Sequence, residues 1–376
     1  LVSSTSSSRS RSSRRPSVAY HRYVNAPRAI GDEMPTVVTL CRESAVELYR
    51  SMNEPPLPAV SLEPRDELIT STSRLHAEGF SPEVSKPLHV LSRSRSARTH
   101  ARDMSAHVWS EPLPRGALLA TGGRGVLVTS PEFTLLQLAG PPYPNAATRT
   151  RDPAWELDDP HAWAHDRRAV DLALLMMEFT GTYRRQPTRY GLPRLTSHDA
   201  LTRFCESAGG NRGITLMRRA LGLQMDGSFS PMETAIALML TLPADLGGYG
   251  LSKPILNVRL SGTELRHDTS SQREILPDLY WPEREVVLEY DSREHHGEEG
   301  PSPMNGEKLA HDAERANSLV AAGRHVIVVR RRQAMNLVRF DLVARQLAVL
   351  LGQSPSTASA LQLERRAKLH ALLVRS

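Results

Sequence analysis

The sequence predicts an α+β fold, a mixed strand and helical front section followed by an α/β core of order αβββαβα. Three observations carry this prediction. From Ser230 the chain reads helix 231–242, strands 255–260, 275–280 and 285–291, helix 306–322, strand 325–330 and helix 337–351. Before it, short apolar strands alternate with helices marked by their own caps. Aromatic residues make up only 5% of the chain, so the cores must be built from Leu, Val, Ala and Met.

Residues 1–35 are polar and basic, with six arginines before the first acid, Asp32, and no apolar periodicity. They read as a disordered tail, and their lack of an apolar h-region argues against a signal peptide. Ordered structure is expected from residue 36, in a mixed α/β section running to residue 140. Its strand Val37–Leu40 leads into a helix packed through Ala45, Val46, Leu48 and Tyr49. A Pro-rich break follows, then strand-like pieces in KPLHVLSRSRS, HVWSEPLPRGALLATGG and RGVLVTS. In VTSPEFTLLQLAG a strand ends at Ser130, the N-cap of a helix whose first residue is Pro131. Residues 141–160 read as a linker and 161–227 as a helical region, with Ser197 capping its second helix. The αβββαβα section spans 228–352, and 353–376 carries a C-terminal basic helix.

At 376 residues the chain has ample length for two or three domains. Its net charge of +6 and pI near 9.5 suit a polyanionic partner. Cys41 and Cys205 lie far apart, without the spacing of a zinc cluster or a disulfide framework. No apolar run approaches the roughly 18 residues that a spanning helix needs. P-loop, dinucleotide-binding glycine, HExxH and GxSxG patterns are absent, and Gly247-Gly248 sits in a loop between helix and strand.

The stretch LPDLYWPEREVVLEYDSREHH concentrates the chemistry. Residues two apart on a strand share a face, so Glu289 and Asp291 lie with Val287, while Val286, Leu288 and Tyr290 take the other side. Two close carboxylates repel unless something positive sits between them, and hard divalent cations prefer such oxygen ligands. Asp278 precedes this strand by one bend, and His295 and His296 follow it. The alternative is that Asp278 caps a turn after Pro277 and the acid pair lies on a solvated face.

The pattern P-D, then E-x-D-x-x-x-H, then D-x-x-R before a strand resembles the PD-(D/E)xK restriction-endonuclease-like superfamily. The branch it is most similar to is that of the very-short-patch-repair endonucleases. The matching positions are Pro277, Asp278, Glu289, Asp291, His295, Asp312 and Arg315, with Glu233 in SPMETAIALML as the helix-borne acid. The resemblance covers residues 228–352 and implies a restriction-endonuclease-like core that cleaves phosphodiesters with Mg²⁺ held by Asp278, Glu289 and Glu233. Asp291 would join them and His295 would assist water or phosphate. The superfamily's lysine position is Asp291 here, and Lys308 is the substitute from the following helix, unless it simply pairs with Asp312. Arg315, Lys308, Arg330, Arg331 and Arg332 would meet the nucleic acid, with DNA the expected partner. Arg184, Arg185, Arg189, Arg218 and Arg219 would extend the patch.

The front section resembles, more faintly, the AbiEi-like abortive-infection antitoxins, whose S-P-E motif matches Ser130, Pro131 and Glu132. The expectation is a bacterial cytoplasmic nucleic-acid-binding protein with an endonuclease-like domain, in phage defence or a toxin–antitoxin setting, with a cognate toxin or partner protein. The alternative is a catalytically inactive antitoxin-like or transcription-regulating DNA-binding protein.

Overall fold

The computed structural model describes residues 38–58, 84–93, 103–121, 126–140, 160–260, 275–292, 317, 319–321, 323–354 and 358–375. The basic tail, the linker at 141–159 and most of the expected helix 306–322 lie outside them; residues 317 and 319–321 of that helix are helical.

The first sheet begins at β1 (Val38–Leu40), which runs into α1 (Arg42–Ser51). Further strands are β2 (Leu57–Pro58), β3 (Leu88–Ser92), β4 (Met104–Val108), β5 (Leu118–Ala120) and β6 (Val126–Thr129). They line up as β2-β5-β6-β1-β3-β4, with β1 parallel to β6 and β3 parallel to β4. Helix α2 (Pro131–Ala139) starts as its sequence demands: the Ser130 hydroxyl accepts from the Phe133 N–H at 3.2 Å, and Pro131 occupies the first turn.

Helix α3 (Pro160–Thr180) is apolar on more than one face. Ala169, Leu172, Ala173, Met176 and Phe179 enter the core beneath the first sheet, whereas Val170, Leu174 and Met177 enter a second core. Apolar residues on nearly every side mark a helix covered on both faces. Helices α4 (His198–Ser207) and α5 (Ile214–Leu223) complete this layer, with the Ser197 hydroxyl capping α4.

The second sheet follows α6 (Pro231–Thr241). A separate hairpin of β7 (Tyr183–Arg184) and β8 (Arg189–Tyr190) comes earlier in the chain. The strands of the second sheet are β9 (Ile255–Leu256), β10 (Leu279–Trp281), β11 (Val286–Asp291) and β12 (His325–Arg330), in that spatial order. Strand β10 is antiparallel to both β9 and β11, and β11 is parallel to β12. The first two strands are shorter than the expected 255–260 and 275–280. Asn257 has a left-handed backbone (φ 47°), which interrupts the ladder until the bridge Leu260–Ile275, and Pro277 has no N–H to give.

Helices α7 (Arg331–Ala334), α8 (Leu337–Leu350) and α9 (Ala360–Arg375) close the chain. The second core joins α6, α8 and α9 to Leu279, Trp281, Val286, Leu288, Ile327 and Val329. Residues Thr36–Ser376 form one compact unit. No helix among the described residues is long and apolar enough to cross a membrane.

Candidate functional site

Glu233 and Asp278 come together where α6 begins and β10 starts, linked through Asn257. Ser230 caps α6 by accepting from the Glu233 N–H at 3.2 Å, which sets Glu233 in the first turn. The Glu233 side chain turns back and is buried. Its Oε2 accepts from the Phe229 N–H at 2.8 Å and from Asn257 Nδ2 at 2.7 Å. Asn257 also donates to the Gly227 carbonyl at 3.0 Å, and its own N–H donates to the Asp278 carbonyl at 3.1 Å. Its left-handed backbone thus ties the helix start to β10.

Asp278 is half-buried and serves the sheet directly: its Oδ2 accepts from the Tyr290 N–H at 2.6 Å. Strand β11 outlasts β10 here, and the carboxylate supplies an acceptor where the partner strand has none to offer. The pairing Leu279–Leu288, extended by one residue, puts Asp278 opposite Glu289. Val287 and Tyr280 pack with Leu319 on one face, Val286 and Leu288 in the main core on the other. The alternation therefore places Glu289 and Asp291 as the sequence predicts, both half-buried, with Asp291 in register with Arg330.

Burial, and then the nearby charge of Asp278, push the Glu233 carboxyl up from 4.5 to about 7, against the pull of its hydrogen bonds. Near neutral pH Glu233 is therefore protonated about as readily as it is ionised. The acids are gathered pairwise rather than as a ready cage. Among the described residues no group of three His, Cys, Asp or Glu is placed to hold a metal ion.

His295, His296, Lys308, Asp312 and Arg315 lie outside the described residues. Arg330, Arg331 and Arg332 are exposed where β12 passes into α7, and the Arg330 N–H donates to Gln333 Oε1 at 2.9 Å. No family model, no curated protein and no solved structure matches this chain.

The structure removes Arg184 from the proposed extension of the basic patch and engages Arg185 and Arg189 within the fold. Arg184 is 1% exposed, and its guanidinium donates to the carbonyls of Glu178, Tyr183 and Pro193. Arg185 pairs at 3.0 Å with Glu178, which Arg50 also grips at 2.7 Å. Arg189 is turned onto the carbonyls of Arg50 and Met52. These arginines lock the β7–β8 hairpin to α1 and α3, and a buried carboxylate explains why two of them are there. Arg218 and Arg219 are exposed, yet Arg218 donates to the Cys205 carbonyl at 2.8 Å and Arg219 pairs with Asp166 at 2.6 Å.

Asn257 and the hairpin were missed by pattern reading. A left-handed asparagine has no periodicity to betray it. The hairpin's strands are two residues each, too short for alternation to register.

Proposed function

We propose that the chain binds nucleic acid through residues 228–352, and that this section is a restriction-endonuclease-like domain hydrolysing phosphodiesters with a metal ion. The observation that carries this reading is the convergence of Glu233 and Asp278, one from a helix start and one from a strand, at the end of a sheet that also bears Glu289 and Asp291. The topology supports it. Helix α6, the antiparallel run β9-β10-β11, a helical segment, β12 parallel to β11, and α8 follow the αβββαβα order of the resemblance.

The donor set suits a hard cation: Glu233, Asp278 and Glu289 would hold Mg²⁺ through carboxylate oxygens alone. Such an ion, when bound, polarises the scissile phosphate and lowers the pKa of attacking water. The chain's own residues do the rest. Glu233 titrates near 7 without a metal, so a bound cation would displace its proton and the site should take the ion more readily as pH rises. Arg330, Arg331 and Arg332 would neutralise backbone phosphates, and replacing any one of them with alanine should flatten the salt dependence of binding by about one counterion.

A second reading is favoured by a specific observation. Asp278 and Glu233 already satisfy backbone and side-chain donors of the fold, and Asp291 stands where the superfamily has lysine. A domain so arranged could retain DNA without cutting it, as an antitoxin-like or transcription-regulating protein would. Cleavage of supercoiled plasmid, single-stranded DNA and RNA in Mg²⁺, Mn²⁺ and EDTA separates the two. Metal-dependent nicking that disappears in both Asp278→Ala and Glu289→Ala is the expected result. Salt-sensitive retention of DNA without cleavage would establish the inactive reading, and neither would sink both.

A further inference from the structure

The β7–β8 hairpin is held far more firmly than a connector of its size requires. Its root is bonded to the lead-in of α6: the Thr182 N–H donates to the Ser228 carbonyl at 3.0 Å. Gly181 is needed there, because a Cβ would stand 2.6 Å from the Ser228 carbonyl oxygen and 2.7 Å from that of Met177. Tyr183 is buried, and its hydroxyl meets Thr234 Oγ1 at 2.9 Å, one residue from Glu233. The ion cluster of Arg50, Arg185 and Glu178, together with Arg184 and Arg189, fixes the turn.

On this rigid frame Tyr190 is 63% exposed. It pairs directly with Tyr183 in the antiparallel register, and directly opposed residues share a face. Tyr190 therefore stands on the face that meets the start of α6, outside the buried Tyr183. The exposed Arg331 directly follows Arg330, the β12 residue in register with Asp291. An exposed aromatic ring beside the start of α6, near Glu233, and an exposed guanidinium past the end of β12 thus stand on the elements that bound the acidic end of the second sheet.

We propose that Tyr190 is a stacking platform for an unpaired base, so that the nucleic acid taken at the acidic site is single-stranded or locally unpaired. The inference rests on the nucleic-acid reading given above and narrows its substrate class. Every base offers a π-face, but a duplex hides those faces in its own stack; only an unpaired base can lie on a protein ring. The arginine anchors hold the hairpin backbone, so binding has only the ring's own torsions left to order. Arg331 supplies charge for the phosphate backbone.

The test uses the full chain and fluorescence anisotropy with labelled oligothymidylate and a blunt duplex of equal length. EDTA suppresses any cleavage and the salt concentration is fixed. Tyr190→Ala should weaken single-strand binding roughly tenfold or more, as loss of one stacked base does, and leave duplex binding unchanged. Tyr190→Trp should retain the affinity, with indole emission quenched as the single strand is added. The residue is exposed, so both variants should keep the wild-type circular dichroism and melting temperature. Unchanged single-strand binding in Tyr190→Ala, or an equal loss on duplex, overturns the stacking role. The nucleic-acid reading would then still stand if Arg331→Ala weakens binding to both probes. Failure of the wild type to retain either probe overturns both proposals together.

Discussion

Glu233 shows how a single residue can carry a readable signature of its site. A glutamate in the first helical turn is ordinarily a surface cap, ionised at neutral pH. Here burial and Asp278 raise its pKa to about 7, so the folded state holds this proton more tightly than the unfolded chain does. The sign follows directly. The group's contribution to stability is complete below about pH 4.5 and is lost as pH rises through 7. A shift of that size corresponds to a penalty on the order of 3 kcal/mol above pH 7. Glu233→Gln should therefore be more stable than wild type at pH 8 and indistinguishable at pH 4.5. Chemical denaturation at the two pH values measures this, and a Gln variant less stable at pH 8 would refute the charge argument. Adding Mg²⁺ at pH 8 should raise the melting temperature of the wild type and leave Glu233→Gln unmoved if the carboxylate is a ligand. At this scale the strand acids were legible because period-two alternation assigns a face without knowledge of the fold. Asn257 was not, because its role depends on a left-handed backbone and on two partners about 24 to 30 positions away.

Among the elements, α9 shows what composition can disguise. The sequence presents it as a basic helix, yet Leu369 and Leu373 are buried in the second core. Arg366 is 7% exposed, stacked 4.0 Å over the Tyr249 ring and paired with Asp341 at 3.6 Å. The pair Gly247-Gly248 explains how the helix comes so close. A Cβ on Gly247 would stand 2.6 Å from the Arg365 carbonyl oxygen, and Arg366 donates to the carbonyls of both glycines. Gly247 is therefore the docking seat for α9, while Gly248 is held to glycine by the Leu242 backbone 1.9 Å from where its Cβ would stand. Gly247 also has a left-handed backbone (φ 89°), which alone costs alanine about 1–2 kcal/mol. Gly247→Ala should lower the melting temperature and loosen α9, seen as faster amide exchange along 360–375 than in the rest of the second core. Gly250→Ala is the control, since it shares the positive φ but has open space around it. Equal exchange in the two variants would mean that strain, not the close approach of α9, decides the outcome.

Across the whole molecule, the longer elements were legible one at a time and their sharing was not. Caps at Ser130 and Ser197 and the alternation in β11 are local signals, so they survive being read one segment at a time. That α3 serves two cores is a statement about what lies on both sides of it, and no window of sequence contains that. The consequence is mechanical. Met176 and Met177 are adjacent and both fully buried, one in the core under the first sheet and one in the core under the second. Truncating either to alanine should cost about 2–5 kcal/mol, the usual range for an emptied methionine site. Because one helix joins both cores, neither loss should stay local: a calorimetric scan should show one transition that moves down as a whole for Met176→Ala and for Met177→Ala alike. Two transitions, with each substitution moving a different one, would show that the sheets melt independently. The acidic site would then depend on the second core alone. A common transition would instead tie the site to the front section, because the hairpin that carries Tyr190 is anchored by α1 and α3 while its root is bonded to the lead-in of α6.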